Sequence, residues 1–142
     1  MFDHSRLLST AIDAIRRFAA DHPDETFYGF SIDADMLCLN STGAFAATLQ
    51  EYQTEYPEYY QSADSIEHLR RNTGDWEYQG FFAFAGEHGF DHDLYNDHYE
   101  DPQLDSPYAQ AMSELVAGLL ASGVFAQLRT TDDFYADWVD HE

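Results

Sequence analysis

Residues 26–42, TFYGFSIDADMLCLNST, decide the fold. Phe27, Tyr28, Phe30 and Ile32 form an aromatic and β-branched run, and Met36, Leu37, Cys38 and Leu39 form a second apolar run. Asp33, Ala34 and Asp35 between them make a short polar turn, so the stretch is predicted to be a β-hairpin over 26–40. Both runs are nearly continuous rather than alternating, the pattern of strands covered on more than one side.

Helical patterns lie on either side of the hairpin. Upstream, Leu8, Ile12, Ile15 and Ala19, joined by Leu7, Ala11, Ala14 and Phe18, follow a 3.6-residue period and predict a helix over about His4 to Asp21. Asp3 or Ser5 can cap it, and His22-Pro23 ends it, because a residue before proline resists the helical conformation. Downstream, Ser41 or Thr42 can cap a second helix with Phe45, Leu49, Tyr52 and Tyr56 on one face, stopped by Pro57. A short helix is expected from about Ala63 to Arg71, then a turn at Asn72–Asp75. Trp76, Tyr78, Phe82 and Phe84 predict a third strand near 75–84, with Gly80 marking a bulge. Pro107 suits the first turn of a helix running to about Ser122, capped by Asp105 or Ser106 and terminated by Gly123. A last helix is expected from Thr131 to His141, with Thr131 or Asp132 as cap and Phe134, Tyr135 and Trp138 as anchors. The order predicts one α+β domain over residues 1–142: a small antiparallel sheet packed with four to five helices.

Charge limits what this domain can touch. There are 27 acids against 6 cationic side chains, all six of them arginine, for a net charge of −21. Direct contact with DNA or RNA is disfavoured, since that binding rests on basic side chains displacing counterions. Anionic membrane surfaces are disfavoured for the same reason. The field attracts basic partners instead, or serves solubility alone. With 44 % hydrophobic residues, 11 Phe and 10 Tyr, the chain has the material for a core. Cys38 is the single cysteine, which excludes an intrachain disulfide and fits a reducing compartment. No apolar run approaches the roughly 20 residues of a membrane span, and the N-terminus lacks a secretory layout. A cytoplasmic location is expected.

The absence of lysine removes a P-loop and a pyridoxal Schiff base, and neither GxGxxG after a strand nor GxSxG occurs. Cys38, between Leu37 and Leu39, reads as a small buried hydrophobe rather than a nucleophile. Asp75 and Glu77 beside Trp76 are the nearest thing to a carboxylate pair, and a polar outer face explains them more simply. Arg70 and Arg71 read as partners for the surplus acids.

The acidic segment 86–105, GEHGFDHDLYNDHYEDPQLD, holds seven acids and three histidines and is expected to be irregular. His88 and His92 stand four apart, as in HExxH zinc proteins, but the Glu is missing and Gly89 weakens a helix there. An EF-hand register starting at Asp91 fails at Tyr95, Asn96 and Pro102. His88, His92, Asp93, Asp97 and His98 are therefore only weak candidate metal ligands, and no metal or other cofactor is expected. Tyr95, Tyr99 and Tyr108 interleave with Asp91, Asp93, Asp97, Glu100 and Asp101, a composition suited to an interface core with a charged rim, provided the tyrosines are exposed.

With Phe27, Tyr28, Phe30 and Asp33 after an opening helix, Asn40, Ser41 and Thr42 at a helix start, and Trp76 and Tyr78 in mid-chain, the sequence resembles the bacterial family called domain of unknown function 4303. The resemblance runs to about Ala85 and weakens beyond it. It implies an intracellular protein without an established reaction. Small acidic single-domain proteins of this style are common among immunity proteins of bacterial toxin systems. The reading expected from the sequence is a non-enzymatic acidic protein that binds a basic partner, such as a toxin nuclease, by electrostatic occlusion. An acidic adaptor or stress domain, and a metal-dependent hydrolase using the His/Asp-rich segment, are the alternatives.

Overall fold

The computed structural model describes residues 1–140. The hairpin at its centre consists of β1 (Thr26–Asp33) and β2 (Met36–Ser41), antiparallel, with Asp33 opposite Met36. Only Ala34 and Asp35 join them, and Ala34 takes the left-handed φ of 56° that so tight a turn requires. The Tyr108 hydroxyl donates to the Ala34 carbonyl at 2.9 Å, pinning the turn from the other side of the domain. β3 (Tyr78–Ala83) runs antiparallel along β2, and β4 (Arg129–Trp138) runs parallel along β1, giving the order β3-β2-β1-β4.

The fold is α+β, with five α-helices among the described residues: α1 (His4–Asp21), α2 (Thr42–Glu55), α3 (Ala63–Arg71), α4 (His92–Glu100) and α5 (Pro107–Ser122). The caps expected for α1, α2 and α5 form. Asp3, Ser41 and Ser106 accept from the backbone N–H groups of Arg6, Ala44 and Ala109. Pro107 occupies the first turn of α5, and Gly123 closes it in the left-handed region.

Two expectations need correction. The sheet is mixed rather than antiparallel, and the segment read as a last helix is the edge strand β4. Phe134 and Trp138 are four apart, which places them on one face of a helix and equally of a strand. Ala136 between them decides for the strand, since Phe134, Ala136 and Trp138 together pack against the main core. His141, the last residue of the expected helix, lies outside the described residues.

The two faces of the sheet are covered unequally. On one, Phe27, Phe30, Ile32, Leu37 and Leu39, all fully buried, meet Leu7, Ile15, Met112, Leu115 and Leu119 of α1 and α5. On the other, Tyr28, Cys38 and Trp76 form a small cluster with Phe45 of α2 and Tyr135 of β4. Helix α2 has no buried residue at all. Gly29 makes room here: a Cβ on it would lie 2.8 Å from the Tyr135 ring.

Candidate functional site

The acidic segment is more ordered than its composition suggests. It opens with a single 3₁₀ turn (Gly86–His88), passes through Gly89 at φ 87° and enters α4 at Asp91. Gly89 is required by contact as well as conformation. Its carbonyl accepts from Asp3 N–H at 2.9 Å, and a Cβ there would sit 2.7 Å from Asp3 Cβ. Asp91 caps α4 by accepting from Leu94 N–H at 3.0 Å and also pairs with the N-terminal amine. That amine, followed by the Leu94 N–H, holds the Asp91 carboxyl below its usual range. Tyr95 and His98, three apart on the helix, turn inwards against Tyr108 of α5, an amphipathic signal masked by the density of acids.

The eight expected contact residues do not share one surface. Asp93, Asp97, Glu100 and Asp101 are exposed, as is Tyr99 at 61 %. Among the described residues, Asp93, Asp97 and Glu100 have no ion pair, and Asp101 accepts only from Gln103 Nε2 at 3.1 Å. Asp91 is spent on its cap and the amine. Tyr95 is half-buried. Tyr108 is corrected outright: it is 1 % exposed, packed against Phe90, Tyr95 and Trp138, and burial pushes its phenol far above the ordinary value. The exposed remnant is a ridge of four carboxylates and one tyrosine.

The weak metal candidates are placed apart by their partners. Ala85 N–H donates to His88 Nδ1 at 2.9 Å, and His92 Nε2 lies 3.1 Å from Asp35. His98 is 3 % exposed, with Nδ1 2.6 Å from Ser106 Oγ and Nε2 3.2 Å from Asp140. Among the described residues, no group of three His, Cys, Asp or Glu side chains could hold a metal ion. Ser106, His98 and Asp140 are in the contact order of a nucleophile relay, but the Ser106 hydroxyl oxygen is the α5 cap and His98 is enclosed. The network joins α4, α5 and the end of β4, satisfying a buried imidazole.

Two further features lie outside the acidic segment. A cleft of about 570 Å³ opens beside the start of α2, with Asp24, Glu25, Glu51 and Glu77 on its walls. Glu25 is held there by hydrogen bonds from the Ser41 and Tyr78 hydroxyls. Burial, then the bond to Glu25, pushes the Tyr78 phenol up to about 12. The second feature is the end of α2, where Tyr56 and Tyr59 are 49 % and 68 % exposed. Sequence reasoning placed Tyr56 on one face with Phe45, Leu49 and Tyr52 and did not single out Tyr59. The repeated Glu-Tyr pairs of EYQTEYPEYY (51–60) were the available signal.

The remaining sequence candidates are structural. Cys38 is fully buried, and burial raises its thiol to about 11, far from a reactive thiolate at neutral pH. Asp75 accepts from the Tyr52 hydroxyl at 2.6 Å and from Asn72 at 2.8 Å, so it braces α2 against the turn before β3. Trp76 precedes β3 rather than lying in it. Arg70 meets Asp133 at 3.1 Å and Glu67 at 3.6 Å while stacking 4.2 Å over Tyr28, and Arg71 meets Glu67 at 2.8 Å and stacks 4.5 Å over Tyr135.

The family described as domain of unknown function (DUF4303) matches residues 7–140, and the chain belongs to it. The match includes the acidic segment, so the likeness does not stop near Ala85. No curated protein and no solved structure matches the chain.

Proposed function

We propose that this member of the DUF4303 family is a non-enzymatic cytoplasmic protein that binds a basic protein, most specifically as an immunity protein occluding the cationic cleft of a toxin such as a nuclease. The observation that carries the reading is the disposition of charge. Among the described acids only Asp33 is buried, so the −21 charge is displayed almost entirely at the surface. Carboxylates in that density stand in for nucleic-acid phosphates at a basic cleft, and they speed encounter with it.

The ridge on α4 is the proposed contact. Asp93, Asp97, Glu100 and Asp101 supply charge that no cation among the described residues pairs with, and Tyr99 supplies a ring of low conformational cost. Among the described residues no helix is long and apolar enough to cross a membrane. The alternative of an acidic adaptor shares the charge argument and differs in its partner. The metal-dependent alternative needs convergent ligands, and no group of three His, Cys, Asp or Glu side chains among the described residues supplies them.

The test is co-expression with the products of neighbouring genes, followed by capture at low and physiological salt. The expected result is one basic partner bound stoichiometrically, with an association rate that falls steeply as salt rises. Capture of no basic protein would overturn the reading, and a salt-insensitive association would remove its electrostatic part.

A further inference from the structure

Helix α2 ends where Pro57 stops it, and the chain doubles back through Tyr56–Tyr60 in a turn braced at three points. Tyr59 N–H donates to the Tyr56 carbonyl at 3.0 Å, and Gln53 Nε2 donates to the Tyr60 carbonyl at 2.8 Å. Tyr52, anchored by its hydroxyl on Asp75, lies 5.4 Å from the Tyr60 ring and 6.4 Å from the Tyr56 ring. The result is a braced turn on which Tyr56, in ring contact with Tyr52, and Tyr59 face solvent around a shallow hollow of about 200 Å³.

The chemistry around these rings is one-sided. Glu51, Glu55 and Glu58 are exposed, and among the described residues none of their carboxylates has an ion pair or a hydrogen bond. The contrast with Glu67 is direct, since Glu67 holds both Arg70 and Arg71. Those two arginines show what such a surface lacks, because each combines a carboxylate with the face of a tyrosine. A guanidinium satisfies both at once: its charge meets the carboxylate, and its plane stacks on the ring. An ammonium matches the charge but stacks less well.

We infer that the α2 terminal turn is a second docking surface, separate from α4, that takes arginine side chains of a basic protein segment on Tyr56 and Tyr59. This surface rests on the reading of the chain as a binder of basic proteins. It adds a preference for arginine over lysine, which charge alone does not give. α2 lies against the sheet face opposite α5, and α4 packs on α5, so the two surfaces belong to opposite sides of the domain.

The experiment titrates the whole protein, at physiological salt, with two labelled peptides of equal length, one alternating glycine with arginine and one glycine with lysine. The arginine peptide is expected to bind more tightly and to shift backbone amides of 52–60. The double variant Tyr56→Leu, Tyr59→Leu keeps apolar area and removes the π faces. It is expected to weaken arginine-peptide binding roughly threefold to tenfold and leave the lysine peptide unchanged. Equal affinity for the two peptides, or an arginine preference that survives the double variant, overturns the inference. Self-association of the wild type that the double variant abolishes also overturns it, in favour of a second copy as occupant. A captured basic partner that depends on α4 and ignores the double variant refutes this surface alone, whereas capture of no basic partner refutes the broader reading.

Discussion

The two faces of the sheet are built on different principles. The face under α1 and α5 is a continuous apolar core in which Phe30 meets Phe125 at 5.0 Å and every inward residue of the hairpin is fully buried. The face under α2 and α3 is held by polar contacts. The Tyr28 hydroxyl donates to the Arg70 carbonyl and accepts from Asn40, Trp76 Nε1 donates to the same carbonyl, and Thr73 donates to Asp33. The first face supplies the bulk of the burial that offsets chain entropy. The second fixes geometry under a helix that buries nothing completely. A cover so loosely seated leaves rings and carboxylates free for contact with other molecules.

Truncations on the two faces separate these roles. Phe30→Ala removes a fully buried ring from the apolar face and is expected to cost about 3–5 kcal/mol in denaturant unfolding. Asn40→Ala, on the opposite face, removes the donor to Tyr28 and the acceptor for Glu77 N–H at 3.2 Å. Its expected cost is about 1–3 kcal/mol, the cost of leaving buried polar groups unpaired. Comparable losses from the two variants would mean that the polar face is as much a core as the apolar one.

Alkali acts on the polar face through Tyr28 and Tyr52. Burial first, with the Asn40 bond opposing it, raises the Tyr28 phenol from 10.0 to about 12. The hydrogen bond to Asp75 comes first among the causes that raise Tyr52 to about 12. A phenol whose folded pKa lies above its unfolded value favours the folded state below pH 10, and that contribution is lost as pH rises through about 12. Thermal melts are expected to fall across this window, together with phenolate absorbance from the same tyrosines. In Tyr28→Phe the alkaline loss is expected to shrink, and an unchanged profile would assign it elsewhere.

The sequence made local elements legible and a distant one illegible. The hairpin, α1, α3 and α5 announce themselves through period, cap and stop within a few residues. β4 does not, because it pairs in parallel with a strand about a hundred residues earlier and has no connecting turn to betray it. The site was legible in part for a related reason. Composition located the acids of α4, but exposure depends on which faces of α4 and α5 meet, and that buried Tyr108 and left Tyr99 outside. Tyr59 follows a proline beyond α2, where no periodicity indicates which way a ring points.

The smallest stability effects are expected where the proposed function is densest. Asp97→Asn with Glu100→Gln on α4 touches exposed carboxylates that pair with nothing among the described residues, and Glu100 sits at the helix C-terminus, where an anion is unfavourable. Such changes usually stay within about 0.5 kcal/mol, and removing like charge from this surface relieves repulsion, so the sign should be slightly favourable. The same variant should slow association with a basic partner, because the encounter rate follows the local field more than the contact area. Unfolding curves and stopped-flow association on one preparation give both numbers. A variant more stable and slower to associate marks α4 as a face kept for binding at some expense of stability. A variant more stable with an unchanged rate returns its acids to the role of solubility and moves the search for a contact to the tyrosines of α2.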